Sequence, residues 1–146
     1  MLSEPSRRSE SAGGYEIVDH TADWALRIQG NDFTTLLMNA ALGMSSLLVG
    51  ELYSVPLAVQ RELELEAFDA ETLLVDWLSE LAYFAEDEQL VFREFRMRDV
   101  TPNHLAAQIR GGRAPELQKH IKAVTYHDLA IEKTESGLTV TIVFDV

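Results

Sequence analysis

The chain has 146 residues, with 12 Lys and Arg against 24 Asp and Glu, a formal net charge of −12 and no cysteine. Such a length suits one domain with a real core, and the missing cysteines exclude disulfides, thiolate metal sites and cysteine nucleophiles. The acidity argues against direct, tight nucleic-acid binding, because nucleic-acid binders carry a basic footprint; a role on RNA is expected to run through a partner. No apolar run approaches the roughly 18 residues of a membrane span. Residues 1–14 hold Arg7 and Arg8 but no apolar stretch, so they do not form a secretory signal. A cytoplasmic protein is the expectation.

In chain order, residues 1–14 are rich in Ser, Glu, Arg and Gly and are expected to form a disordered arm before a domain spanning 15–146. Residues 15–18 suggest a short strand. After Asp19-His20-Thr21-Ala22-Asp23, Trp24, Leu26 and Ile28 alternate with Ala25, Arg27 and Gln29, the period of a half-buried strand. Asp32 offers a helix cap, and Phe33, Leu36, Leu37, Ala40, Ala41, Met44, Leu47 and Leu48 predict a helix over 32–48 that stops at Gly50. Residues 55–67 alternate as a strand, with Glu62, Glu64 and Glu66 on one face. That face could bind cations in principle, but such a pattern more often marks a solvated surface.

Asp69 caps a second helix with Glu71 in its first turn, where a carboxylate suits the helix dipole. Its stripe runs from Leu73 through Trp77 to Ala85, and Glu86-Asp87-Glu88 gives it an acidic end that reads as a loop, a frayed turn or a surface for a basic partner. Residues 91–99 alternate imperfectly, as a bulge or edge strand would, and Arg93, Arg96 and Arg98 form a dense basic spot there. Leu105, Ala107 and Ile109 predict another strand, and 111–115 a loop. Residues 121–131 and 138–144 alternate on either side of Ser136-Gly137, which predicts a long hairpin over 119–146. Strand, strand, helix, strand, helix and then four strands is the order of an α+β single domain, with a largely antiparallel sheet and two helices packed on it.

Candidate chemistry concentrates where strands end. Asp23 stands just before one strand and Asp145 just after Phe144 of the last. If those strands are neighbours, the two carboxylates converge, and the main-chain and terminal oxygens of Val146 add to an oxygen set suited to a hard cation such as Ca²⁺ or Mg²⁺. The alternative is that Asp19 and Asp23 merely start a turn. His20 and His127 could complete a site for Mn²⁺ or Zn²⁺, Glu71 is a further candidate, and Lys122 could orient a carboxylate or contact a nucleotide phosphate. A lone strand histidine or lysine more often has a structural or edge-protecting role. There is no nucleophile elbow and no phosphate loop.

Four segments carry a family resemblance. Asp19-His20-Thr21-Ala22-Asp23, the second helix over 69–81, Ile121-Lys122-Ala123-Val124-Thr125-Tyr126-His127 and the ending Val143-Phe144-Asp145-Val146 resemble, in order, the motifs of the archease family, over about 15–146. The resemblance implies an accessory protein, not an enzyme, that activates an RtcB-type RNA ligase in tRNA splicing or RNA repair. It implies that guanylylation and multiple turnover of the ligase are promoted with the help of a divalent metal (Ca, Mg or Mn). By position, Asp23, Asp145 and Val146 supply metal ligands, and Lys122 matches a functionally implicated lysine. Trp24-Ala25 departs from the small aliphatic residue and glycine usual there. A general chaperone or modulator of RNA-modifying enzymes and a small metal-dependent hydrolase are the competing readings.

Overall fold

Two helices form where a capping aspartate meets an apolar stripe. The computed structural model describes residues 9–11, 13–19 and 24–146, the first stretch and residue 19 by backbone alone. Helix α1 is Phe33–Val49. The Oδ1 of Asp32 accepts the Thr35 amide at 2.8 Å, and the Gly50 amide, at φ 78°, closes the other end on the Ser46 carbonyl. Helix α2 is Ala70–Glu88, capped in the same way by Asp69 on the Thr72 amide and ended by Gln89 in the left-handed region. Both capping carboxyls are held below the ordinary aspartate range by these bonds: the amide and then the hydroxyl of Thr35 at Asp32, the hydroxyl and then the amide of Thr72 at Asp69.

The strands make two antiparallel sheets where the sequence suggested one, within the expected α+β class. The strands are β1 Ser9–Ser11, β2 Tyr15–Asp19, β3 Trp24–Gly30, β4 Val59–Glu66, β5 Leu90–Thr101, β6 His104–Arg113, β7 Ala123–Val124, β8 Glu132–Thr134 and β9 Gly137–Asp145. The first sheet runs β1-β2-β3-β9-β7, with β8 also on β9; the second runs β4-β6-β5. Within the stretch expected to be a disordered arm, Ser9–Ser11 pair with β2. Each helix touches strands of both sheets. At the centre Trp77, fully buried, donates its indole N–H to the Leu37 carbonyl at 2.9 Å and meets the Phe95 ring edge-on at 5.8 Å.

Three other expectations change. The strand predicted over 55–67 begins at Val59, after a 3-10 turn at Leu52–Ser54. Val55 is buried, and its carbonyl accepts the Arg93 Nε–H. Gly111-Gly112, expected in a loop, belongs to β6. A Cβ at Gly111 would sit 2.0 Å from the Val91 carbonyl oxygen, so glycine allows β5 and β6 to approach beside the register shift between Phe92 and Glu94. The long hairpin over 119–146 is broken in its first arm. β7 and β8 pair with opposite ends of β9, and between them the Leu129 amide turns back to the Tyr126 carbonyl while Asp128 takes φ 50°. Ile121 and Val124 are buried with Lys122 and Ala123 exposed between them, a spacing that an alternating strand cannot give.

Candidate metal and partner site

The edge of the first sheet is built in a single row. Trp24, the first residue of β3, pairs with Asp19 on one side and Phe144 on the other, and Phe144 pairs with Val124. One residue further along β9, Asp145 pairs with Ala123, and its carbonyl accepts the Lys122 amide at 2.7 Å. Thr125 locks the same corner, with both its amide and its hydroxyl donating to the Val143 carbonyl. The row is anchored by Phe144, fully buried, and Val124, 8% exposed.

Asp145 and Lys122 are thus held side by side through their backbones and are both exposed. The Asp145 carboxylate makes no hydrogen bond or ion pair among the described residues, and neither does the Lys122 ammonium. Val146 is partly buried against the core. Lys119 places its ammonium 4.2 Å from the centre of the Trp24 ring, a cation–π contact that sequence reading missed. The signal was there in the bulky Trp24, but nothing local pairs it with a residue 95 positions later.

Asp23 and His20 lie outside the described residues, so their part in the site is not placed. Glu71 is placed elsewhere. Its Oε2 accepts the Ile131 amide at 3.1 Å, and the adjoining Glu132 pairs with Thr139, six residues or roughly 20 Å along β9 from Asp145. Glu71 is spent tethering residues 125–131 to the start of α2. His127 is exposed, with its Nε2 3.3 Å from Asp128 Oδ2. Among the described residues no group of three or more His, Asp or Glu is placed to hold a metal ion. The oxygens at the corner, the Asp145 carboxylate and Val146, are the hard donors that Ca²⁺ or Mg²⁺ prefers, and they fit such an ion as part of a larger set.

Several carboxylates of the acidic surfaces noted in the sequence turn out to be paired. Glu62 takes Arg98 at 2.9 Å and Gln108 at 3.1 Å, and Glu64 takes His104 at 3.0 Å. Gln108 first and Arg98 next hold the Glu62 carboxyl below its usual range. At the end of α2, Glu86 meets His120 Nδ1 at 2.9 Å and Glu88 meets Arg61 at 3.7 Å. No helix of the described residues is long and apolar enough to cross a membrane.

Two antiparallel sheets joined through a pair of capped helices, with a carboxylate and a lysine displayed at one sheet corner, define a small α+β protein. The comparisons give this class its family. The Archease protein family (MTH1598/TM1083) matches residues 15–146. The Protein archease of Methanosarcina barkeri is 36% identical over 140 residues, covering 90% of this chain and 95% of that protein; the Protein archease of Archaeoglobus fulgidus is 31% identical over 138, covering 90% and 98%. The solution structure of Methanobacterium thermoautotrophicum protein 1598 superposes with TM-score 0.73 at 27% identity, over 91% of this chain and 99% of that one. A Thermotoga maritima crystal structure, described as an archease and possible chaperone, gives 0.59 at 26% identity, over 87% and 93%. The chain belongs to the archease family.

Proposed function

We propose that this protein is an accessory factor that activates an RtcB-type RNA ligase, with Asp23, Asp145 and Val146 contributing oxygens to a divalent cation and Lys122 beside them. The observation that carries the reading is the corner itself: the Lys122 amide bonded to the Asp145 carbonyl, in the row that pairs Phe144 with Trp24, the residue after Asp23 in sequence. It leaves an exposed carboxylate and an exposed ammonium without partners among the described residues, held to a sheet end, as a site that completes itself against another molecule requires. The cation, when bound, supplies positive charge for phosphate oxygens. Lys122 orients carboxylate or phosphate groups, and the buried Phe144 and Val124 fix the strand ends that carry both residues.

The net charge of −12 supports an indirect role on RNA, through a protein partner. The test is a ligase assay with GTP, limiting Mn²⁺ and a 3′-phosphate RNA, adding the protein below the ligase concentration. Wild type is expected to raise guanylylation and turnover, and Asp145→Ala and Lys122→Ala to lose the effect while remaining folded. A wild-type protein without effect on an active ligase would sink the reading. If the Asp145→Ala variant still protects unrelated proteins from aggregation as wild type does, the chaperone reading, which matches the words used for the Thermotoga protein, takes its place.

A further inference from the structure

The basic spot at Arg93, Arg96 and Arg98 has no part in the corner site. Two of its members, Arg93 and Arg96, line a groove of about 540 Å³ between α1 and β5, and Arg110 of β6 joins them. Part of the lining is apolar: Met38 and Leu42, one turn apart on α1, and the largely buried Phe95. Phe95 is braced from behind by the Trp77 ring, so the apolar surface is rigid.

The charges in this groove are unevenly satisfied. Arg110 pairs with Glu94 at 2.9 Å. Arg96 is exposed and has no carboxylate within ion-pair distance among the described residues. Arg93 is held by its Nε–H on the Val55 carbonyl at 2.8 Å and by the Tyr53 ring, 5.3 Å from its guanidinium carbon, and its terminal nitrogens make no hydrogen bond among the described residues. A fixed guanidinium with free terminal N–H groups is a preorganised partner for a carboxylate. Three arginines against one carboxylate make this groove locally positive on a molecule whose Asp and Glu outnumber Lys and Arg two to one.

We propose that the groove between α1 and β5 docks an acidic segment of a partner protein, one that sets an apolar side chain on Met38, Leu42 and Phe95 and carboxylates on Arg96 and Arg93. Charge complementarity selects this occupant. The groove's positive charge attracts an anionic segment, while the net charge of −12 repels it from most of the rest of the surface. A nucleic-acid strand fits less well, because its continuous phosphates would run onto the same sheet face, where Glu62, Glu64 and Glu66 are exposed. The volume accepts a few side chains, not a folded domain.

Fluorescence anisotropy with a labelled, capped peptide of alternating glutamate and phenylalanine tests the proposal. The full chain is expected to bind it saturably, with affinity falling as salt rises. Arg96→Ala should weaken binding about tenfold and Arg96→Glu more, the loss expected of a charge-assisted contact. Arg96 is exposed, so neither change threatens the fold. Asp145→Ala should leave binding unchanged, which separates this groove from the corner site. The same peptide with lysine for glutamate, and a single-stranded oligouridylate, should bind at least about tenfold more weakly. The proposal is overturned by no saturable binding of the acidic peptide, by equal binding to Arg96→Glu, by loss of binding in Asp145→Ala, or by the oligouridylate binding more tightly.

Discussion

On the outer face of β4-β6-β5, Arg98 meets Glu62, His104 meets Glu64 and Arg110 meets Glu94, all within 3.0 Å. At the corner of the other sheet, the Asp145 carboxylate and the Lys122 ammonium make no hydrogen bond or ion pair among the described residues. In the amino-acid sequence the two regions looked alike, each a set of carboxylates and basic residues on strands. The difference is that cross-strand register brings opposite charges together in the first and leaves them unmatched in the second. Exposed pairs such as those on β4-β6-β5 add little to stability, because water screens them and ordering the side chains costs entropy. They do more to satisfy the charges than to hold the sheet, and they remove Glu62 and Glu64 as ready cation ligands. An unmatched pair gains nothing for the fold, which is why the corner is the better candidate for binding.

The contrast depends on the two sheets belonging to one cooperative unit, and Trp77 is where that can be broken. Its indole joins α2 to α1 through the Leu37 carbonyl and to the second sheet through Phe95. Trp77→Ala is expected to cost about 3–5 kcal/mol, as the loss of a large buried aromatic does. Urea unfolding followed by far-UV circular dichroism measures this. A single transition shifted to lower urea keeps the sheets coupled. A loss below about 1 kcal/mol would show that the apparent hub carries little of the core.

The sequence made both helices legible because caps and periodicity agreed at Asp32 and Asp69, and it made β3, β9 and the bulge in β5 legible by alternation. It failed where long-range contacts overrule local pattern. Residues 121–131 alternate well enough to look like one strand, yet of them only Ala123–Val124 forms a strand on β9, and pairing resumes at Glu132–Thr134. In the gap a carboxylate 60 positions away, Glu71, accepts the Ile131 amide. Gly111-Gly112 read as a loop because glycine marks turns, and the reason for glycine there, the Val91 carbonyl, belongs to another strand. At the corner, the juxtaposition of Lys122 with Asp145 could not be read locally either; it entered through the motifs at 121–127 and 143–146, and the register of β7 on β9 supplies its geometry. For Trp24 the bulky side chain was visible, but nothing local tied it to Lys119.

Glu71 sharpens the comparison at intermediate cost. Sequence reading held it for a metal site, and the structure gives it to the break between β7 and β8. Glu71→Ala should destabilise by about 1 kcal/mol, the low side for a charged acceptor because the side chain is only half-buried. The more telling measurement is hydrogen exchange at the Ile131 amide, which should lose protection while the Lys122 amide, bonded to Asp145, keeps its own. Equal loss at both amides would mean that the loop and the corner open as one, and that Glu71 supports the site after all.

The smallest effect concerns the paired face itself. Protonated His104 donates its Nε2–H to Glu64 and its Nδ1–H to the Asp99 carbonyl, and both bonds raise its pKa above the ordinary value, the Glu64 bond first. A raised folded-state pKa means that this contribution is complete below the unfolded value of about 6.5 and is lost as pH climbs through the folded value. The capping aspartates run the other way: their lowered pKa values leave their contribution complete above about 3.9 and lost as pH falls through the folded values. All three are therefore in place between about pH 4 and 6.5. Proton NMR of the His104 ring should give a pKa above the ordinary value that returns toward it in Glu64→Gln. If His104 titrates at or below the ordinary value in the wild type, the cross-strand pairs are solvated apart in solution. The two sheets then differ in register but not in charge satisfaction, and the case for the corner rests on its backbone geometry alone.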